Sequence, residues 1–145
     1  MSYCNDFYYG LLLPTRRSRV RTPLPAPIKK LFRMTDLSKK KCVACTGDIP
    51  PFDTSEIHKY LKKIDGWDVK ANDDKSFYLI KEFKFNNFAE SQSFINKVGN
   101  LAEEENHHPD ISFGWGYCKI KIFTHAIKGL AESDFILAAK IDKIT

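Results

Sequence analysis

Several familiar signatures are missing from this chain, and each absence removes a class of protein. Across its 145 residues no apolar run approaches the roughly 20 needed for a membrane-spanning helix, so an integral helical membrane protein is not expected. Four cysteines are too few for the disulfide scaffold of a small secreted domain. There is no internal repeat, no glycine-rich phosphate loop and no Ser/His/Asp nucleophile pattern. The length leaves room for one ordinary domain and too little for two comfortable cores. What is present is apolar material in plenty, 43% hydrophobic and 13% aromatic, which excludes wholesale disorder.

The net charge of +5 is unevenly placed. Residues 1–35 carry Arg16, Arg17, Arg19, Arg21, Lys29, Lys30 and Arg33 against Asp6 alone. Residues 36–145 hold 16 basic and 17 acidic side chains and are close to neutral. The basic character therefore belongs to a leader, and nucleic-acid binding by the folded part is not expected. The leader also holds Pro14, Pro23, Pro25 and Pro27, which forbid a long helix. Its apolar run, Tyr8 to Leu13, precedes the arginines, the reverse of a secretory signal. An organelle transit peptide fits this composition. A disordered tail, an extension upstream of a start at Met34, or a nucleic-acid-binding arm fits it too. Two domains of unequal kind are thus expected, a leader over 1–35 and a folded domain over 36–145.

Within the domain, 36–52 reads as a polar lead-in closed by Pro50-Pro51. Asp53 or Thr54 can cap a helix whose apolar face is Ile57, Tyr60, Leu61 and Ile64, with Gly66 ending it. Trp67 opens a strand, and Asn72 to Lys75 is a polar turn. Phe77, Leu79, Phe83 and Phe85 then alternate with polar neighbours as a half-buried antiparallel strand. Asn87 can cap a second helix with Glu90 three residues on. Phe88, Phe94, Ile95, Val98, Leu101 and Ala102 form its buried stripe, and Pro109 forces an end near Asn106. Gly114 and Gly116 flank Trp115, and Cys118, Ile120 and Ile122 alternate with Lys119 and Lys121 as a further strand. A last helix starts near Glu132. The order α-β-β-α-β-β-α predicts an α+β fold, a four-stranded mostly antiparallel sheet with helices packed on one face.

Three of the four histidines, His107, His108 and His125, fall within 19 positions. The first two stand where a helix must stop; the third stands at a strand end. Histidine is the side chain whose proton comes and goes near neutral pH. Several together can donate at one atom and accept at another, which suits elimination or isomerisation. A zinc site with Glu103 to Glu105 is the metal alternative, but no His-x-x-x-His spacing is present. Helix-capping histidines packed on Trp115 are the structural alternative. Spacing alone leaves these readings open.

The stretch from Glu103 to Asp134 resembles the signature of the pterin-4a-carbinolamine dehydratases. Glu103 fills the charged first place, His107-His108-Pro109 the next block, Trp115 the aromatic, His125 the following place and Asp134 the last. Phe135 to Lys140 is similar to the family's closing helix, and Lys41-Cys42-Val43-Ala44-Cys45 through Pro50-Pro51 to a lead-in of bacterial-type members. The resemblance spans about 36–145. It departs at Ala131, where many members carry a Ser or Thr helix cap, a local difference of about 1 kcal/mol.

The resemblance implies a homo-oligomer, a dimer or a tetramer built from dimers. It also implies a pterin substrate, a 4a-hydroxytetrahydropterin left by aromatic amino acid hydroxylases, which loses water to give a quinonoid dihydropterin. Neither metal nor organic cofactor is implied. His107 and His125 would form the acid/base pair, with His108 holding the hydroxyl or sharing the proton. Glu103 would bond the pterin or orient His107, and Asp134 would fix a histidine tautomer. Trp115 would wall the pterin or serve as plain core. Animal members also act as dimerisation partners of a transcription factor, which leaves a binding role, or pterin binding without turnover, as the alternative.

The remaining motifs read blandly. Cys42 and Cys45 form a CxxC without a second pair, so structural zinc is not expected and two ordinary thiols are. Cys118 reads as a buried strand residue, Cys4 as a tail residue, His58 as exposed, and Lys39 to Lys41 as a solvated charge run. Free thiols fit a reducing, cytoplasmic setting; organelle import through 1–35 is the other possibility the leader raises.

Overall fold

The computed structural model describes residues 36–43 and 49–145. The expectations placed on the leader, on Cys4 and on Cys45 lie outside those residues.

Asp53 starts the first helix as expected. Its carboxylate accepts the Glu56 N–H at 2.7 Å, and the Glu56 carboxylate accepts the Asp53 N–H at 3.3 Å. The helix that follows, α1 (Thr54–Leu61), buries Ile57. It ends earlier than Gly66 would place it. Turn bonds from Lys63 to Tyr60 and from Ile64 to Leu61 carry the chain on, and Gly66 adopts its positive φ of 67° beyond the helix.

Two strands follow, β1 (Asp68–Ala71) and β2 (Phe77–Lys84), paired antiparallel across the Asn72–Ser76 turn. Trp67 precedes β1 rather than opening it. It is buried, and its indole N–H donates to the Asp142 carboxylate at 3.0 Å. Lys81 on β2 pairs with that same carboxylate at 2.7 Å.

The long helix α2 (Phe88–Glu105) is capped by the Asn87 side chain, which accepts the Glu90 N–H. The Glu90 carboxylate reaches one residue further back than a capping box requires, to the Asn86 N–H at 2.9 Å. Phe94, Val98 and Ala102 are buried as the stripe predicts, and Ile95 and Leu101 are partly so. Phe88 is not: it lies 46% exposed, with its ring 5.5 Å from that of Phe113. As first residue of the helix its side chain leans toward the N-terminal end, past the covered part of the stripe.

The hairpin of β3 (Asp110–Gly114) and β4 (Tyr117–Ile122) completes the sheet in the order β1-β2-β4-β3, every pair antiparallel. Its register sets Phe83 opposite Cys118 and Leu79 opposite Ile122 on the covered face. Glu82 and Lys119 lie on the open one.

Against the covered face packs α3 (Glu132–Ile141), in which every residue from Ser133 to Ala139 is buried. Phe135 contacts the rings of Phe52 and Tyr60, at 6.0 and 5.3 Å. Burying a side chain of that size is worth about 1.5–3 kcal/mol. The α+β architecture and element order are those the sequence predicts. The lead-in differs. Leu37, in a short 3₁₀ turn (Leu37–Lys39), is buried, and Lys40 leaves the supposed solvated run to pair with Glu132 at 2.6 Å.

Candidate active site

The end of α2 presents the first two histidines. Asn106 caps the helix in the left-handed region, φ 51° and ψ 40°, which asparagine tolerates better than most side chains. The His107 N–H then closes back on the Ala102 carbonyl at 3.0 Å, and Pro109 carries the chain into β3. This turn puts His107 against the start of α3. Its Nε2 lies 2.9 Å from Oδ1 of Asp134.

Asp134 is fully buried, and a buried carboxylate is tolerated only when hydrogen bonds replace its water. It has them. The Ala131 N–H donates to Oδ2 at 2.7 Å, and the Thr124 hydroxyl lies 2.9–3.0 Å from both oxygens. The carboxylate thus caps α3 from its third position and makes up for the absent side-chain cap at Ala131. An ionised Asp134 only accepts, so the ring proton that meets it sits on Nε2 of His107, and in the neutral imidazole Nδ1 then carries the lone pair.

Thr124 ties the third histidine to the same anchor. After β4 the chain makes a tight loop closed by paired bonds between Thr124 and Gly129, at 3.1 and 3.3 Å. His125 opens the 3₁₀ turn inside it (His125–Ile127) and is exposed, its ring edge-on to Phe123 at 4.9 Å. Oδ1 of Asp134 therefore bonds both His107 and the residue immediately before His125. The two strand ends that carry these histidines meet there, since Asp110 pairs with Lys121.

His108 bonds a different carboxylate. Its Nε2 lies 3.1 Å from Glu103, and both side chains are well exposed. Glu103 therefore orients His108 and not His107, because side chains four residues apart across the helix end share a face only if the helix continues, and here it turns at Asn106.

Trp115 is neither core nor neighbour of the histidines within this chain. It occupies the two-residue turn between β3 and β4 and is 73% exposed. Five residues of strand separate it from Asp110, about 16 Å at 3.3 Å per residue. Among the described residues no group of three or more His, Cys, Asp and Glu side chains is arranged to hold a metal ion. Thr124 is the site residue that sequence reasoning missed. A single threonine at a strand end carries no signal of its own.

Both described cysteines are buried. Burial pushes the Cys118 thiol up to about 11. Burial, with the Glu105 carboxylate beside it, pushes that of Cys42 up to about 12.

Residues 50–144 match the family model for pterin 4 alpha carbinolamine dehydratase. This chain belongs to that family. Proteins carrying the pterin-4-alpha-carbinolamine dehydratase name, a hydro-lyase, agree with it along nearly their whole length. One from Rubrobacter xylanophilus is 47% identical over 77% of this chain and 100% of its own. One from Alkaliphilus metalliredigens is 48% identical over 76% and 96%. A crystal structure from Brucella melitensis, described as a transcriptional coactivator/pterin dehydratase, covers 65% of this dehydratase-family chain and 97% of its own, with 26% identity and a TM-score of 0.58.

Proposed function

We propose that the chain catalyses dehydration of a 4a-hydroxytetrahydropterin to the quinonoid dihydropterin, by histidine acid/base chemistry, in the recycling of tetrahydropterin. The supporting observation is the shared carboxylate. Asp134 holds Nε2–H of His107 and, through Thr124, the loop that presents His125. Two imidazoles on fixed backbone at one corner, one of them in a set tautomer, suit a reaction that moves one proton off and another on.

The step balances without a cofactor. A base takes the proton from N5, and the N5 electron pair forms the C4a–N5 double bond. The C4a–O bond breaks as an acid protonates the departing hydroxyl, which leaves as water. Hydroxide is a poor leaving group, so the acid and the base are each worth about 10²- to 10⁴-fold. His107, with its lone pair on Nδ1, takes the base role and His125 the acid role. His108, steadied by Glu103, holds the hydroxyl. The protein works as a homo-oligomer beside an aromatic amino acid hydroxylase in the cytoplasm. Trp115 borders a pterin only where a second subunit brings its hairpin turn to the site.

The test generates the 4a-carbinolamine with a hydroxylase and follows the quinonoid dihydropterin by absorbance. Acceleration by the protein, unchanged by a chelator, supports the reading; no acceleration overturns it. The Brucella protein's coactivator description favours one second reading, a partner-binding role. Absence of turnover with retained pterin or protein binding would support that role.

A further inference from the structure

The end of α2 carries a second polar anchor besides His107. Glu105, its last residue, has a side chain only 9% exposed. One carboxylate oxygen accepts the Cys42 N–H at 2.8 Å, and the other takes the ammonium of Lys140 on α3. Burial works to raise the Glu105 pKa, but those two donors outweigh it and hold it below the ordinary value.

The strap that supplies the Cys42 amide is itself sewn to the start of α3. The Cys42 thiol donates to the Ser133 carbonyl at 3.5 Å, the Ser133 hydroxyl donates to the Val43 carbonyl at 2.9 Å, and Lys40 pairs with Glu132. The last turn of α2 is therefore fixed to α3 at two places, Glu105 to Lys140 and His107 to Asp134. Asp134 and Lys140 are six residues apart, about 9 Å along the helix. One attachment would leave a pivot; two set the rotation of the helix end. The link between them is short and closed, because Asn106 is left-handed and the His107 N–H is bonded back to Ala102. Any tilt at Glu105 passes directly to the imidazole. An apolar side chain would fill the same space, but it would not join the strap, α2 and α3 with direction.

We propose that Glu105, clamped between the Cys42 amide and Lys140, is a positioning residue for His107, so that the strap over residues 40–43 sets the angle at which the imidazole meets Asp134. The inference rests on the dehydratase reading for its kinetic readout but not for its spectroscopic one.

The experiment uses the full chain with Glu105→Ala, Glu105→Gln and Lys140→Met. The His107 Nε2–H resonance is recorded by ¹H–¹⁵N NMR in the free protein, alongside kcat and KM. Glu105→Ala should speed exchange of that proton at least tenfold and lower kcat at least tenfold, with KM within threefold. Glu105→Gln keeps an accepting oxygen and the volume, and should return kcat to within about threefold of wild type. A folded Glu105→Ala protein with unchanged Nε2–H exchange and kcat within twofold overturns the proposal. Should Glu105→Ala fail to fold, Lys140→Met carries the test, since it leaves the Cys42 bond in place. At least threefold faster exchange and lower kcat support the clamp, and no change in either refutes it. A wild type without turnover would fail the dehydratase reading, while the proton exchange would still decide the clamp.

Discussion

Replacing Asp134 by asparagine tests the site with the least change of shape. The carboxylate receives donors from Ala131, Thr124 and His107, and it has no exposure to water. Asparagine offers one acceptor oxygen and one NH₂. The oxygen satisfies the Ala131 N–H, whose backbone position is fixed, so the NH₂ faces His107. Two donors then oppose each other unless the imidazole moves its proton to Nδ1. That move removes the lone pair assigned to the base role, and kcat should fall about 100-fold, the lower end of what one acid/base group is worth. The Thr124 hydroxyl must turn as well, and losing its charge-assisted bond costs about 2 kcal/mol. At about 4 °C per kcal/mol for a domain of this size, Tm drops by about 8 °C. Stopped-flow absorbance gives kcat, and long-range ¹H–¹⁵N NMR of the imidazole gives the tautomer. A folded Asp134→Asn protein with kcat within twofold of wild type and the proton still on Nε2 of His107 would refute this reasoning.

Further outcomes follow from other parts of the molecule. His125 is exposed and takes the acid role, so His125→Ala should lower kcat by about 100-fold or more while changing stability by no more than about 0.5 kcal/mol, read by turnover and thermal melting. The thiols of Cys42 and Cys118, raised to about 12 and about 11, should resist iodoacetamide at pH 8 in the native protein and react once it is denatured, as mapped by mass spectrometry. The Glu105 pKa is lowered in the fold, so its contribution to stability is full above the unfolded value near 4.3 and is lost as pH falls through the folded value. Melting temperature should therefore drop from pH 6 to pH 3, and less steeply in Glu105→Gln.

Elements with local signals were readable in the sequence. Asp53 with Glu56, the period-two run around Leu79 and Phe83, and the stop at Pro109 each act through neighbours within a few residues, and each appears where expected. Contacts between distant segments were not readable. The pairing of Lys81 and Trp67 with Asp142, and of Lys40 with Glu132, depends on which helix end lies over which strand. The same division runs through the site. His107, His108 and His125 stand out because histidine is scarce and clustered here. Thr124 and Glu105 matter through partners 10 and 35 positions away, and residue type alone does not reveal that. Trp115 illustrates the converse: its place in a family signature does not bring it near the histidines of its own chain.

The most direct test is the turnover number of His107→Ala on the 4a-carbinolamine, with folding verified by its amide NMR spectrum. The account predicts a loss of at least 100-fold relative to wild type. A folded variant that retains a third or more of the wild-type rate would contradict it.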